Sequence, residues 1–518
     1  MEEPVAVPMP WWKTSVLYQI YPRSFADSDG DGVGDLEGVR GHLDHLRWLG
    51  VDGLWLSPIY RSPMADFGYD VSDHCDIDPT FGDLAAFDRL LADVHDGGLR
   101  LLLDWVPNHT SDRHPWFVES RRSRESPKRN WYVWRDGGGT GRPPNNWLAA
   151  FGGRAWTWDE TTAQWYLHLF LPEQPDLNWA EGGVVEAMHG VLRFWLDRGV
   201  DGFRADVVHA IGKDPALPDQ PLELVAGGVV GVHDHPSTHG LLRGIRSVLD
   251  SYPGDRAMVG EVNLGTAALL APYYGRHDEL HLVFNFSLLH APWSAARWAD
   301  LVVEAETAFD PVGAWPVWVL SNHDTPRHRT RYGGGEARAR VAALVLLTLR
   351  GTPVLYAGEE LGLEDALVAD AERVDPGGRD GCRAPIPWQD RSGHGWGGSQ
   401  PWLPWSPSPE VRNPEVLGRD PESILHLYRR LLAARRSSPA LHAGAWRLLP
   451  APADVLAYER AAAADTRVVV ANFGDEAADV AVPHGAWAVD VSTGPVADDG
   501  TRWTGRLGPV QAVVLRRT

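Results

Sequence analysis

A chain of 518 residues with 44% hydrophobic side chains has room for one large catalytic domain and smaller ones beside it. Its 48 basic against 69 acidic residues leave a net charge of -21, which repels phosphate backbones and anionic lipid. Nucleic acid and membrane surfaces are therefore poor partner candidates, and a neutral or cationic substrate is favoured. Two cysteines, Cys75 and Cys382, cannot build a disulfide framework in a chain of this size, which suits a reducing compartment. The stretch MEEPVAVPMPWWKTS lacks the basic start and apolar centre of a signal peptide, and no later run reaches the ~20 apolar residues of a membrane span. The expected location is the cytoplasm.

The first strand signal is SVLYQIYPRSF, rich in β-branched and aromatic residues. DSDGDGVGDLEG (27–38) follows and half matches a calcium-binding loop. Carboxylates stand at Asp27, Asp29, Asp31 and Asp35, and the backbone carbonyl position falls on Val33. The bidentate Glu that closes a sensor loop is replaced by Gly38, and a strand precedes the loop where a sensor needs a helix. The expectation is a fixed ion site of these five residues inside a βα unit, whose helix carries Leu36, Val39, Leu43 and Leu46; a plain Asp/Gly turn is the alternative.

Short apolar runs then recur: LYQIY (17–21), GLWLS (53–57), LRLLLDW (99–105), DGFRADV (201–207), AMVGEV (257–262), LVFNF (282–286), VWVLSNHD (317–324) and TPVLYAGEE (352–360). Helical patterns separate several of them. The clearest is 184–196, where Val184, Val185, Met188, Val191, Leu192, Trp195 and Leu196 share one face. Buried strands alternating with amphipathic helices predict an α/β fold, a (β/α)₈ TIM barrel, with 1–105 and 181–443 forming the catalytic barrel. Residues 106–180, rich in Trp, Arg, Gly and Pro, are an expected inserted subdomain after the third strand. The segment 211–239 reads as a long loop over one mouth of the barrel, and 365–421 as either a linker or a loop over the active face. A last helix is expected from DPES, with Asp420 as cap and Pro421 in the first turn. Alternating strands such as VLAYER and RVVVANF predict a C-terminal β-sandwich over 444–518.

In a barrel the catalytic groups sit at the C-terminal ends of strands. Those ends carry Asp104, Arg204 with Asp206, Glu261, and His323 with Asp324. Any one of these acids could be a helix cap. Asp206 and Glu261, however, end adjacent strands roughly 4.8 Å apart. Carboxyls about 5 Å apart serve as nucleophile and acid/base in a retaining glycosidase. Arg204 lies two residues before Asp206 on the same face and is expected to hold it ionised. Glu261, in MVGEVNL, has no basic neighbour in sequence, so burial is expected to raise its pKa and make it the proton donor.

DWVPNH (104–109), GFRAD (202–206), GEV (260–262) and SNHD (321–324), in this order, resemble the four signature regions of glycoside hydrolase family 13, the α-amylase family. The resemblance implies Asp206 as nucleophile, Glu261 as general acid/base and Asp324 as the carboxylate that grips sugar hydroxyls. It also implies His109 and His323 as hydrogen-bonding groups at that sugar, Arg204 beside the nucleophile and Asp104 as its orienting partner. MADFGYDVSDH (64–74) resembles the loop closing the glucose subsite, with Tyr69 as stacking platform and Asp66 or Asp70 as polar contacts. QPDLNW (174–179) is similar to a region marking the oligo-1,6-glucosidase subgroup. Many of that subgroup carry a calcium, or magnesium, at the acidic loop. Val207, after the nucleophile, leans toward α-1,6 bonds, while GFRADVVHAIGKDP, with His209 and Lys213, resembles enzymes not strict about linkage. The implied activity is that of a retaining, exo-acting α-glucosidase on short α-glucosides with no organic cofactor. A glucosyltransferase or sucrose isomerase on the same site is the alternative. Non-catalytic relatives that partner membrane transporters would lack the acids retained here.

Overall fold

The computed structural model describes residues 9–137, 141–228, 234–397, 400–496 and 502–518. Eight strands, seven of them within the expected runs and β7 beginning one residue ahead of its run, form the centre: β1 (Leu17–Ile20), β2 (Gly53–Leu56), β3 (Arg100–Trp105), β4 (Gly202–Ala205), β5 (Ala257–Gly260), β6 (Leu282–Asn285), β7 (Pro316–Val319) and β8 (Thr352–Tyr356). Each pairs in parallel with its neighbours in chain order, and β8 pairs with β1 to close the barrel. Alternation along the strands separates two apolar populations. Leu17, Trp55, Leu102, Val259, Val317 and Val354 pack together inside the barrel, and Tyr18, Leu54, Leu103 and Phe203 join the larger core beneath the helices. The helix Gly182–Asp197 buries Val184, Met188, Val191, Leu192, Trp195 and Leu196 on the expected face.

Between β3 and β4 lies a three-stranded antiparallel sheet of Trp134–Arg135, Gln164–Leu167 and Trp156–Asp159. Its core of Val133, Trp147, Trp156, Trp165 and Leu167 includes Ala210 and Leu217 from the segment after β4. That segment is tied down: the Asn145 amide donates to the Leu217 carbonyl (3.1 Å) and the Trp147 indole to that of Pro218 (2.8 Å). Within the expected 211–239 loop, 229–233 fall outside the described residues.

The last barrel helix runs Ile424–Ser437, and its cap is Ser423, whose hydroxyl accepts from the His426 amide at 3.3 Å. Asp420 instead accepts from the Glu422 amide in the preceding turn, and Pro421 stays outside the helix, so the expected cap shifts by three residues. The buried Arg435 of this helix donates to the carbonyls of Leu347, Leu349 and Gly351 at 3.0, 3.2 and 2.5 Å. Those carbonyls lie at and just beyond the end of the helix Glu336–Thr348, where carbonyls lack intrahelical partners. The C-terminal domain is a five-stranded antiparallel sheet covered on one face by a short pair of strands, Ala478–Asp479 and Arg506–Leu507. Val468, Val470 and Val513 meet Val480 and Leu507 in that layer, while Leu456, Tyr458, Val469 and Val514 face the barrel's core. Among the described residues no helix is long and apolar enough to cross a membrane.

Replacing Arg435 with Met keeps the apolar stem and leaves three buried carbonyls without their donor. A loss of about 3 kcal/mol is expected, seen as a lower denaturation midpoint with unaltered turnover. An unchanged midpoint would mean that these carbonyls do not depend on the guanidinium.

Candidate active site

Arg204, 2% exposed, stands where β3, β4 and β5 end. Its Nη1 donates to both oxygens of Asp104 (2.9 and 3.1 Å) and to Asp206 Oδ1 (2.7 Å), and its Nη2 donates to Glu261 Oε2. The backbone ties the same strand ends together: Asp206 N–H donates to the Trp105 carbonyl and Glu261 N–H to that of Ala205, both at 2.8 Å. Immediately after Asp206 the chain turns sharply through Val207, which has φ 34°, a left-handed conformation costly for a β-branched residue. The turn lets the Val207 amide approach Glu261 Oε2 at 3.3 Å.

This geometry corrects the expected division of charge. Arg204 is shared by three carboxylates and does not favour Asp206 over Glu261. Burial pushes the Asp206 carboxyl well above its usual range, Arg204 opposes that only in part, and the charges of Glu261, Asp104 and Asp324 add to it. Burial likewise pushes Asp104 up to about 6 against the pull of Arg204. Asp104 and Asp206 are thus both pushed upward by burial and by the charges of the acids around them, while Arg204 pulls both down.

The opposite wall is built on His323. Its Nδ1 meets the Gln19 amide nitrogen at 2.7 Å and its Nε2 the Tyr69 hydroxyl at 2.6 Å. Burial pushes its pKa down to about 3, so the ring is neutral at pH 7. Tyr69 stacks on it at 5.4 Å and 7° and donates its hydroxyl to Asp104 Oδ2 at 3.0 Å. Asp324 is held by Arg379 (3.0 Å) and Arg383 (3.2 Å). Burial by itself would raise the Asp324 carboxyl, but His323, Arg379, Arg383 and Arg204 together hold it well below the carboxylate range. With His323 neutral, the arginines carry that effect. Arg379 also grips Asp66 at 2.6 Å, and Asp66 accepts from the Gln174 amide at 3.0 Å. Gln174 in turn reaches His109 Nε2 at 3.1 Å; burial pushes His109 down to about 3 as well.

These groups surround a cavity of about 450 Å³ at the C-terminal end of the barrel. It is lined by Asp66, Tyr69, His109, Asp206, Glu261, His323 and Asp324. Arg204 lies behind the wall and acts through the acids. Asp70 does not line the cavity: its carboxylate accepts from Ser62 and from the Ala65 and Asp66 amides and so shapes the loop that carries Asp66. Three contributors were not foreseen. Phe151 and Phe170 come from the inserted subdomain, and Arg379 comes from the 365–421 segment, which is thereby a loop over the active face. Gln174 stands first in the QPDLNW stretch, the one prior signal for this wall. Lys213 bonds Asn108 and ion-pairs with Asp176 of that stretch, each at 3.0 Å.

At the acidic loop, Asp27, Asp29 and Asp35 bring carboxylate oxygens within 4.8 Å of one another, a hard-oxygen donor set suited to calcium or magnesium. The Asp31 carboxylate lies outside this trio. It turns back to accept from the Val33 amide at 2.7 Å. Asp35 also caps the helix Leu36–Gly41 through the Gly38 amide. None of these residues lines the active cavity.

A barrel whose strand ends gather paired carboxylates, a shared arginine and a neutral histidine around one polar and aromatic cavity defines an enzyme that acts on glycosidic bonds. Residues 19–444 match the alpha amylase catalytic domain, and the chain belongs to the α-amylase family. It is 42% identical over 505 residues to a "Probable alpha-glucosidase" of Rhizobium meliloti, covering 91% of each chain. It is 38% identical to an oligo-1,6-glucosidase of Parageobacillus thermoglucosidasius, over 90% of this chain and 91% of that one. Among solved structures an alpha-glucosyl transfer enzyme, XgtA, superposes with a TM-score of 0.93 at 41% identity, covering 99% of this chain and 100% of the other.

Burial lowers several histidines from the ordinary 6.5: His74 to about 4, and His109, His323 and His328 to about 3. Between those values and 6.5 the unfolded chain binds protons that the folded chain refuses, so stability rises with pH across the window and is lost as pH falls below 6.5. Raised carboxyls oppose this: Asp104, Asp206 and Glu359, the last pushed up to about 8, with Asp66, Asp70, Asp112, Glu306 and Asp365. The lowered histidines, which also include His42, His114, His168, His189, His281, His290 and His442, outnumber them. Denaturant midpoints should be lower at pH 5 than at pH 7; the reverse order would show that the carboxylates dominate.

Proposed function

We propose that this protein is a retaining, exo-acting α-glucosidase that removes terminal α-linked glucose from short oligosaccharides or small glucosides. The observation that carries the reading is the attachment of Asp206 and Glu261 to neighbouring nitrogens of one guanidinium, at the wall of a single cavity. In this mechanism Asp206 attacks the anomeric carbon while Glu261 protonates the departing oxygen. Positive charge growing on the sugar favours the ionised form of Asp206, and Glu261 serves as the proton donor. The glucosyl-Asp206 ester is then opened by water, whose proton Glu261 accepts. Asp324, kept ionised by Arg379 and Arg383, accepts hydrogen bonds from sugar hydroxyls, and neutral His109 and His323 complete the polar wall. Asp66 and Arg379 add a carboxylate and a cation to the same pocket, and Tyr69 offers its ring. Similarity to an α-glucosyl transfer enzyme favours a second outcome on the same intermediate, in which another hydroxyl replaces water.

Calcium is the proposed occupant of the loop of Asp27, Asp29, Asp31, Val33 and Asp35, where the gathered carboxylates of Asp27, Asp29 and Asp35 support it and where it would brace the loop after β1 with no part in the chemistry. Two unpaired thiols, Cys75 and Cys382, support a reducing, cytoplasmic location.

Proton NMR of the protein with maltose, isomaltose, sucrose and trehalose in turn tests the activity. At least one sugar should be consumed, with α-glucose rising before β-glucose. β-Glucose appearing first would overturn retention, and Asp206→Asn should slow turnover by on the order of 10³ or more. For the ion, chelation should lower the melting temperature and calcium should restore it. An unchanged melt, with no metal by elemental analysis, would leave residues 27–35 a plain turn.

A further inference from the structure

The stretch VDPGGRDGCR (374–383) folds back on itself behind the wall that carries Asp324, and Asp375, 7% exposed, is the carboxylate at its centre. Asp375 Oδ2 accepts from the amides of Gly377 (2.9 Å) and Arg379 (2.8 Å) and from Arg379 Nε (2.8 Å). Its Oδ1 accepts from Arg379 Nη2 (2.7 Å) and Arg383 Nη1 (3.0 Å). The turn needs its two glycines: a Cβ on Gly377 would meet Arg379 Nε at 3.0 Å, and Gly378 has φ 70°. Burial opposes charge on Asp375, but Arg379 and Arg383 hold its carboxyl below the ordinary value.

Both arginines reach past Asp375 to the active cavity. Arg379 Nη1 and Arg383 Nη2 donate to the same oxygen of Asp324, Oδ1, at 3.0 and 3.2 Å. Asp324 Oδ2, 3.3 Å from His323 Nε2, meets neither of them. Arg379 Nη2 also donates to Asp66 at 2.6 Å. Asp66, Asp324 and Arg379 line the cavity and Asp375 does not.

We propose that Asp375 is a positioning residue for the terminal sugar: it aims two guanidiniums so that Asp324 keeps Oδ2 free for a sugar hydroxyl and Asp66 stays fixed beside it. The inference deepens the α-glucosidase reading and rests on it. A guanidinium is a rigid planar fork, so holding its Nε and Nη2 on one carboxylate dictates where Nη1 points. Released from Asp375, Arg379 would turn to the paired geometry that arginine prefers with a carboxylate and occupy both oxygens of Asp324. Asparagine cannot replace the aspartate, because its NH₂ would face N–H donors on whichever side it took.

The test measures kcat/KM for fluoride release from α-glucosyl fluoride in the parent protein, Asp375→Asn, Asp324→Asn and the double variant. Asp375→Asn should lower kcat/KM by about 10- to 100-fold, and Asp375→Glu, which keeps the charge, should retain at least about threefold more activity than the Asn variant. Because Asp375 acts through Asp324, the loss in the double variant should fall short of the product of the two single losses by about threefold or more. A role confined to the stability of the turn would lower the melting temperature and leave the two losses multiplying. Parent-like turnover in Asp375→Asn, losses that multiply, or a Glu variant no better than the Asn variant would overturn the positioning role and leave the glucosidase reading standing. Absence of fluoride release from the folded parent protein would overturn both. If Asp375→Asn does not fold, Asp375→Ser, which frees the same guanidiniums without burying an amide, takes its place in the comparison.

Discussion

Everything at the active face depends on one buried cation. Arg204 joins Asp104, Asp206 and Glu261, three carboxylates from three neighbouring strand ends, so the packing of those strand ends and the chemistry share the same contacts. Removing one partner from such a buried ion cluster costs about 3–5 kcal/mol, because the remaining charges stay uncompensated. The same burial raises the carboxyls of Asp104 and Asp206 against the pull of Arg204, so the site's proton affinity is set by the cluster and not by one pair. Structure and reactivity are two consequences of placing one guanidinium among three acids in a dry pocket.

A second layer holds that cluster in position. Tyr69 and His323 stack and hydrogen-bond against Asp104, and the arginine pair Arg379 and Arg383 fixes Asp324 on the far wall. Gln174 bridges Asp66 and His109, which couples the inserted subdomain to the loop after β2. The strained turn at Val207 belongs to this layer too, since it brings the chain after the nucleophile back toward Glu261. The pocket is thus closed by elements far apart in sequence, each bonded to a carboxylate or histidine that a strand end or a short loop presents.

Much of this was legible in the sequence. The eight apolar runs became the eight barrel strands because strands buried on both faces read as continuous Val, Ile and Leu segments bounded by polar residues. The acids after those runs line the cavity because a barrel sends its strand ends to one face. One local error has an equally local cause. Asp420 looked like a cap because it precedes a proline and an apolar period, yet Ser423 sits where its hydroxyl can reach the third helical amide.

By itself, the sequence determined the barrel, the strand-end acids and the family to which they belong, because side-chain alternation and strand ends are local properties of the chain. Only the tertiary structure decided how charge is distributed at the site. Arg204 lies two residues from Asp206 in sequence, but electrostatic interaction follows distance in space and the loss of water. In space the same guanidinium also meets Asp104 and Glu261. Arg379 shows the same limit from the other side. In sequence it is one arginine in a long irregular loop, and only folding brings it within 3.0 Å of Asp324 and 2.6 Å of Asp66.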